Sequence, residues 1–251
     1  MASRAERERE AYDERHVFEH SHAWHVRFRH VFECPNTVAH ERLFADRLRE
    51  GGAGKRMLEL GSGDGSQARE LVASGAAYVY GIDVSQKFVA LANEKAIPGR
   101  LEFAQKDAME PLEGRFDVIF GRAILHHLDY LEVLERLHRD NLAKGGFMIF
   151  IEPLGSHPLI RLFHLVARSA HTPDERPFFR DDLRRLRERF ERFEVIPFNF
   201  LSFPSALAST FLFRRADNPL LRLCDRADRW LARRAPFLAP SFRQAIFVIG
   251  G

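Results

Sequence analysis

The sequence predicts an α/β fold, a mostly parallel sheet with helices on both faces, and three observations carry that expectation. Short apolar runs alternate with helix-compatible segments from Lys55 to Ile151. A glycine-rich turn, Gly61-Ser62-Gly63-Asp64-Gly65, follows the first run directly. The second run then closes on an acid, Asp83, at the spacing of about 20 residues that marks nucleoside sites.

Residues 1 to 14 form a helical or frayed charged lead-in, and 12 to 30 hold an unusual cluster of histidine and aromatic residues. Asn36-Thr37 is placed to cap a helix running to Glu50, with Val38, Leu43, Phe44 and Leu48 on one face. Gly51-Gly52-Ala53-Gly54 stops it, and Met57 to Leu60 is the first strand. A helix over 66–74 leads to a strand over 77–83, and a helix over 85–95 to a strand beginning at Leu101. Phe116 to Phe120 is the fourth strand, a helix covers 129–140, and Phe147 to Ile151 is the fifth strand, ending at Glu152-Pro153. Right-handed crossovers put a ligand at the carboxyl ends of these strands, across the first and fourth. The last two strands, Phe193 to Phe200 and Arg243 to Ile249, are separated by residues 201–242, and a second insertion occupies 154–179. Both insertions are expected to cap the ligand pocket, since long structureless loops inside a compact domain are rare.

The composition suits one domain with a sizeable core. Its parts are a lead-in over 1–54, a core over 55–153, and the last strands with helical cap insertions over 154–251. Apolar residues at 45% and charged residues at 29% are ordinary for a soluble chain, but 23 Phe against 4 Tyr and 2 Trp is not. Cys34 and Cys224 have no partner spacing, and with no secretory or membrane-spanning segment the expected compartment is the cytoplasm. Through Phe150 there are 21 basic and 24 acidic residues, a charge of −3; the remainder has 17 and 11, or +6. The basicity lies away from the glycine turn. In 219–234, Leu220, Leu221, Leu223, Cys224, Ala227, Trp230 and Leu231 are expected to pack inward with arginines outward, resting on anionic lipid being the alternative.

The form of the turn narrows its ligand. A dinucleotide motif needs a third glycine where Ser66 stands, and no Lys-Ser/Thr pair follows as a P-loop requires. Glu59 and Asp64 would repel a pyrophosphate and suit a sulfonium or ammonium group. With L-E-L-G-S-G-D-G at 58–65, the chain resembles the class I S-adenosyl-L-methionine (SAM)-dependent methyltransferases, over roughly Lys55 to Ile151. The resemblance implies a Rossmann-like seven-stranded sheet, with the last two strands antiparallel, and SAM as cofactor. It implies that Gly61, Gly63 and Gly65 shape the turn, and that Glu59 orients it or faces the methionine end. By the same resemblance Asp83 binds the ribose, Val84 packs on the adenine, and Asp107, Ala108 and Met109 hold the adenine. Arg122 and Ala123 line the methionine moiety.

The acceptor side rests on fewer signals. His126 and His127 follow the fourth strand, where imidazole would make a suitable base, and His126 is the first choice of the pair. Glu152 is placed for an acceptor contact or to hold the cap. Family members commonly fold the segment before the first strand over the pocket, which makes Tyr12, Trp24 and His25 lid or acceptor contacts. Phe203 and Phe211 are placed to line an apolar pocket or to fill the cap. No metal is expected, because His16 and His20 at i, i+4 lack a third ligand of suitable spacing. The expected function is methyl transfer to a small organic acceptor such as a natural-product intermediate. Alternatives are an amphiphilic, lipid or quinone-type acceptor, or a catalytically inactive SAM-binding regulatory subunit. Nucleic acid is not expected, since Phe120-Gly121-Arg122-Ala123 stands where an N-P-P-Y-type tetrapeptide would. Nothing in the sequence indicates an oligomeric state.

Overall fold

The computed structural model describes residues 4–13, 26–160 and 176–251. Its strands are β1 (Arg56–Leu60), β2 (Tyr78–Asp83), β3 (Leu101–Gln105), β4 (Phe116–Arg122), β5 (Leu142–Pro153), β6 (Phe193–Phe198) and β7 (Gln244–Gly250). The helices are α1 (Arg4–Asp13), α2 (Arg29–Glu33), α3 (Pro35–Gly52), α4 (Ser66–Ala73) and α5 (Gln86–Asn93). They continue with α6 (Tyr130–Arg136), α7 (Arg180–Arg189), α8 (Ser202–Leu212) and α9 (Pro219–Arg234). All seven strands join one sheet in the order β3-β2-β1-β4-β5-β7-β6. β1 to β5 pair in parallel, while β7 runs antiparallel between β5 and β6. The order reverses between β1 and β4, which opens a crevice at their carboxyl ends.

Side chains alternate along the central strands, so sequence neighbours enter different cores. Met57, Val118, Phe120 and Ile149 meet Phe44 and Leu48 of α3 and Leu71 of α4 on one face. Leu58, Ile119, Met148 and Phe150 meet Val133 and Leu134 of α6 and Leu183 of α7 on the other. Burial on both faces is why the strands read as continuous apolar runs. The helix starts follow local chemistry: Ser85, Asp129 and Asn218 each accept a backbone N–H of the turn they cap. Much of the phenylalanine lies in the core. Phe44, Phe116, Phe120, Phe150, Phe178, Phe198, Phe242 and Phe247 are all fully buried.

The insertion between β6 and β7 departs from expectation. Its helices α8 and α9 pair with each other and pack on α2 and α3, around Val31, Cys34, Ala206 and Leu221. Among the described residues neither this insertion nor the one after β5 lines the crevice; residues 161–175 of the latter lie outside the described residues. Polar side chains fix the insertion between β6 and β7 in place. Asp228 accepts the N–H groups of Phe200, Leu201 and Ser202 at 3.0, 2.7 and 3.0 Å, satisfying donors that open α8. Asn36 donates to Asp225 at 2.8 Å and accepts the Asn199 N–H at 2.8 Å. Asp228→Ala leaves three amides without their acceptor and is expected to cost about 2 kcal/mol or more, lowering Tm by about 5 °C. An unchanged Tm in a calorimetric scan would show that these amides do not depend on the carboxylate.

Candidate active site

The glycine turn after β1 is where the sheet can meet a ligand most closely. Gly61, Gly63 and Gly65 have φ of +66°, +52° and +74°, a region that favours glycine. They do different jobs. A Cβ on Gly65 would stand 2.5 Å from Phe103 and 3.0 Å from Ala92, so Gly65 lets α4 and its neighbours pack. A Cβ on Gly63 would meet nothing within 4 Å, because that side of the turn opens into a cavity. Asp83, at the tip of β2, holds the turn from below. Its Oδ2 accepts the Gly63 N–H and its Oδ1 the Ser85 N–H, both at 2.9 Å. Burial raises the Asp83 pKa, and these backbone donors oppose the rise.

The cavity measures about 310 Å³ and lies at the switch point between β1 and β4. Its walls include Gly61, Gly63, Asp83 and Val84 on the β1–β2 side, and Asp107, Ala108 and Met109 beyond β3. Arg122, Ala123, Ile124, His127 and Leu128 form the wall after β4. Arg122 also pairs with Glu41 at 2.5 Å and lies over the Phe44 ring. Eight of the cofactor-side candidates from the sequence, with Ala123, therefore meet at one surface. Glu59 and Gly65 stand behind it and do not line it.

After β4 the chain leaves the strand abruptly. Ala123 takes φ +48°, a left-handed conformation rare for a residue with a Cβ and a form of strain that gathers at functional sites. Glu152, fully buried at the end of β5, pins the segment that follows. Its carboxylate accepts the N–H groups of Ile124, Leu125 and His126 at 3.1, 2.9 and 3.4 Å, and His126 Nδ1 lies 2.8 Å from Oε2. Two expectations change here. Glu152 is committed to the backbone and to His126, and it does not line the cavity. His126 is turned onto Glu152, so His127 is the histidine of the cavity wall.

A charged helix closes the other side. Arg4, Glu8 and Tyr12 of α1 recur every four residues and all three line the cavity. Glu8 Oε1 lies 3.2 Å from His127 Nδ1, and the Tyr12 hydroxyl lies 3.3 Å from Nε2. A carboxylate facing Nδ1 keeps the proton there, which leaves Nε2 as the acceptor of the Tyr12 O–H. Asp13 fastens the helix end by accepting from Ser85 Oγ at 2.6 Å and from the Lys87 amine through its carbonyl. Sequence reading found Tyr12 but missed Arg4 and Glu8. The four-residue spacing with Tyr12 was the available signal.

Other acceptor candidates lie elsewhere. Phe203 packs in the cap against His157 and beneath the Arg243 guanidinium. Phe211 is 71% exposed beside Phe28. Trp24 and His25 lie outside the described residues, as do His16, His20 and His22. Among the described residues no group of three or more His, Cys, Asp or Glu could hold a metal ion.

The residues present fit the cofactor that the turn implies. Open space stands over Gly63, where a nucleoside can approach the backbone without meeting a Cβ. Beside the turn, Glu59 Oε2 is buried and has no hydrogen-bond partner. Burial holds the Glu59 carboxyl well above the usual range, Arg122 opposing and Asp83 and Asp64 adding to the rise. A cationic ligand nearby would relieve that burden.

Comparison with known proteins gives the same family. Residues 36–195 match the model of a methyltransferase domain. The 27-O-demethylrifamycin SV methyltransferase of Amycolatopsis mediterranei is 34% identical over 115 residues, which are 41% of this chain and 42% of the relative. The tRNA U34 carboxymethyltransferase of Pseudomonas aeruginosa is 33% identical over 106 residues, 38% of this chain and 31% of that one. The matched stretch thus spans less than half the length of either relative. Among solved structures, the Haemonchus contortus phosphoethanolamine N-methyltransferase 2 in complex with phosphomonomethylethanolamine and S-adenosylhomocysteine superposes with a TM-score of 0.66. At 20% identity, over 100% of this chain and 60% of that one, the likeness is one of fold. Turn, sheet order and family match agree: the chain belongs to the methyltransferase-domain family of class I fold, whose cofactor is S-adenosyl-L-methionine.

Proposed function

We propose that the protein transfers a methyl group from SAM to a small organic acceptor, with His127 taking the proton that the acceptor loses. One observation supports this above the others: a single cavity joins the Gly63–Asp83 nucleoside wall to His127 and α1. The cofactor supplies an electrophilic methyl on a sulfonium. Asp83 binds the ribose, Val84 and Met109 flank the adenine with Asp107 and Ala108 beside it, and the backbone at Arg122 and Ala123 holds the methionine end. Glu8 keeps the His127 proton on Nδ1, so Nε2 is free to accept one from an acceptor hydroxyl or a protonated amine. Tyr12 marks the spot, since its own hydroxyl now stands against Nε2. The rest of the rate comes from alignment and exclusion of water, which α1 provides by covering the cavity.

The small cavity favours a compact acceptor. The aromatic cap that suggested an amphiphile packs on α2 and α3, away from the cavity, and so lends that alternative less support. The arginine-rich surface likewise sits on α9, away from the cavity, and so lends a nucleic-acid acceptor little support. A pool of hydroxylated and amino metabolites incubated with methyl-labelled SAM should yield a labelled product. His127→Ala should lower kcat about 10²-fold with S-adenosylhomocysteine affinity preserved, whereas His126→Ala should act through stability. A folded His126→Ala enzyme that loses turnover beside a near-normal His127→Ala enzyme would refute the assignment. No labelled product from any pool, with the cofactor bound, would favour a regulatory subunit.

A further inference from the structure

Helix α9 buries Leu221 and Cys224 and turns its arginines outward as its sequence suggests, but it leaves two of the apolar residues expected inside on the arginine side. Beyond its first residue, the exposed positions are Arg222, Arg226, Arg229, Arg233 and Arg234, together with two large apolar side chains. Those two are Leu223, 61% exposed, and Trp230, 59% exposed, seven residues apart on one face. Phe237, just past the helix end, is 68% exposed and continues the line. The acids of the helix, Asp225 and Asp228, are buried against Asn36 and the amides opening α8. From Pro219 to Phe237 no acid reaches the surface.

An ordinary solvated face mixes the two signs of charge and carries few large apolar groups. This one does neither. Arg222 and Arg229 have acid partners in Asp217 and Asp225, but Arg226, Arg233 and Arg234 make no ion pair among the described residues. The end of α8, which the chain leaves six residues before α9, adds Phe211 and Leu212, each 71% exposed, followed by exposed Arg214 and Arg215.

We propose that the outer face of α9, with Phe237, docks the protein on an anionic lipid surface. A helix of this length lies about 24 Å along the bilayer plane. The arginines reach lipid phosphates, and Leu223, Trp230 and Phe237 enter the boundary between headgroups and acyl chains. Nucleic acid would use the arginines but leave Leu223 and Phe237 in water. A protein partner would need an acidic surface to match five arginines. A lipid interface meets both demands at once. No helix among the described residues is long and apolar enough to cross a membrane, so the contact is peripheral. The inference is independent of the methyl acceptor.

Sedimentation of the whole protein with vesicles tests it, using phosphatidylcholine alone and phosphatidylcholine mixed with phosphatidylglycerol. Binding is expected to the mixed vesicles only and to weaken as salt is raised. Each arginine at such a surface raises partitioning about fivefold, so the Arg226→Gln/Arg233→Gln/Arg234→Gln variant should lose about 10²-fold. Trp230→Ser with Leu223→Ser should also release the protein, and Trp230 emission should shift to the blue on binding in the parent. These positions are exposed, and unchanged circular dichroism and S-adenosylhomocysteine affinity confirm that the variants remain folded. Three results overturn the proposal: no binding to the mixed vesicles, binding that the variants do not alter, or a Trp230-dependent dimer in ultracentrifugation. Salt-sensitive binding of tRNA that removes the protein from the vesicles would assign the face to nucleic acid instead.

Discussion

Gly63→Val is expected to abolish S-adenosylhomocysteine binding, a loss of about 10²-fold or more, equivalent to about 2.7 kcal/mol, while the sheet stays folded. The valine side chain would enter the open space above the turn, where the cofactor must approach the backbone, and at φ +52° it also strains the loop. Gly65→Val is the informative contrast. Its Cβ would drive into Phe103 and Ala92, so it should unfold the protein at lower temperature. Asp83→Ala should weaken binding as well, but it also frees the Gly63 and Ser85 amides and loosens the turn. The raised Asp83 pKa sets a pH dependence. Cofactor affinity should be full where the carboxylate is ionised and fall as pH drops through a value above the ordinary 3.8. For the fold the sign is opposite. The contribution of Asp83 to stability is present below its unfolded pKa and lost as pH rises through the folded one. Calorimetric affinities for Gly63→Val equal to wild type would mean that no ligand approaches this turn.

Glu152→Ala is expected to cost about 3–5 kcal/mol and to lower Tm by about 10 °C, the largest effect of any single truncation near the site. The carboxylate is fully buried and holds three consecutive amides and one imidazole. Glu152→Gln should fall between the two. Its carbonyl oxygen still accepts, but its NH₂ group faces further donors. Because the pinned segment carries straight into His127, surviving Glu152→Ala protein should also turn over slowly with altered pH response. A Tm within about 2 °C of wild type would show that the post-β4 turn holds its shape without this anchor.

The sheet and the cavity wall at the glycine turn were legible in the sequence because each depends on local chemistry. Apolar runs fix the strands, and glycine spacing with Asp83 fixes the turn. The antiparallel β7 followed from the family resemblance despite the long insertion before it. The histidine pair was not legible, for a specific reason. Alternation along β4 would decide which ring faces inward, but the left-handed Ala123 resets the phase before His126 is reached. The cavity face of α1 was obscured by its polarity: it is Arg4, Glu8 and Tyr12, so no apolar stripe shows which side of the charged lead-in turns inward. In α9, two faces compete. Leu221 and Cys224 with two acids went inward, because Asp225 and Asp228 meet buried donors that no apolar residue could satisfy.

The position of β7 has a consequence for how the chain comes to be folded. Among the described residues it is the last strand in sequence, yet it lies between β5 and β6 and supplies the only strand partner that β6 has there. During synthesis, β1 to β5 can assemble while β5 still presents an open apolar edge, and β6 waits with nothing to pair. Both edges remain templates for another nascent chain until Gln244 to Gly250 clears the ribosome. The aggregation hazard of this protein should therefore be set by translation speed over residues 199–243, the interval in which β6 exists without its partner. Slow codons there would lengthen that exposure, and a chaperone that binds extended apolar strands would be most useful to this chain during the same interval.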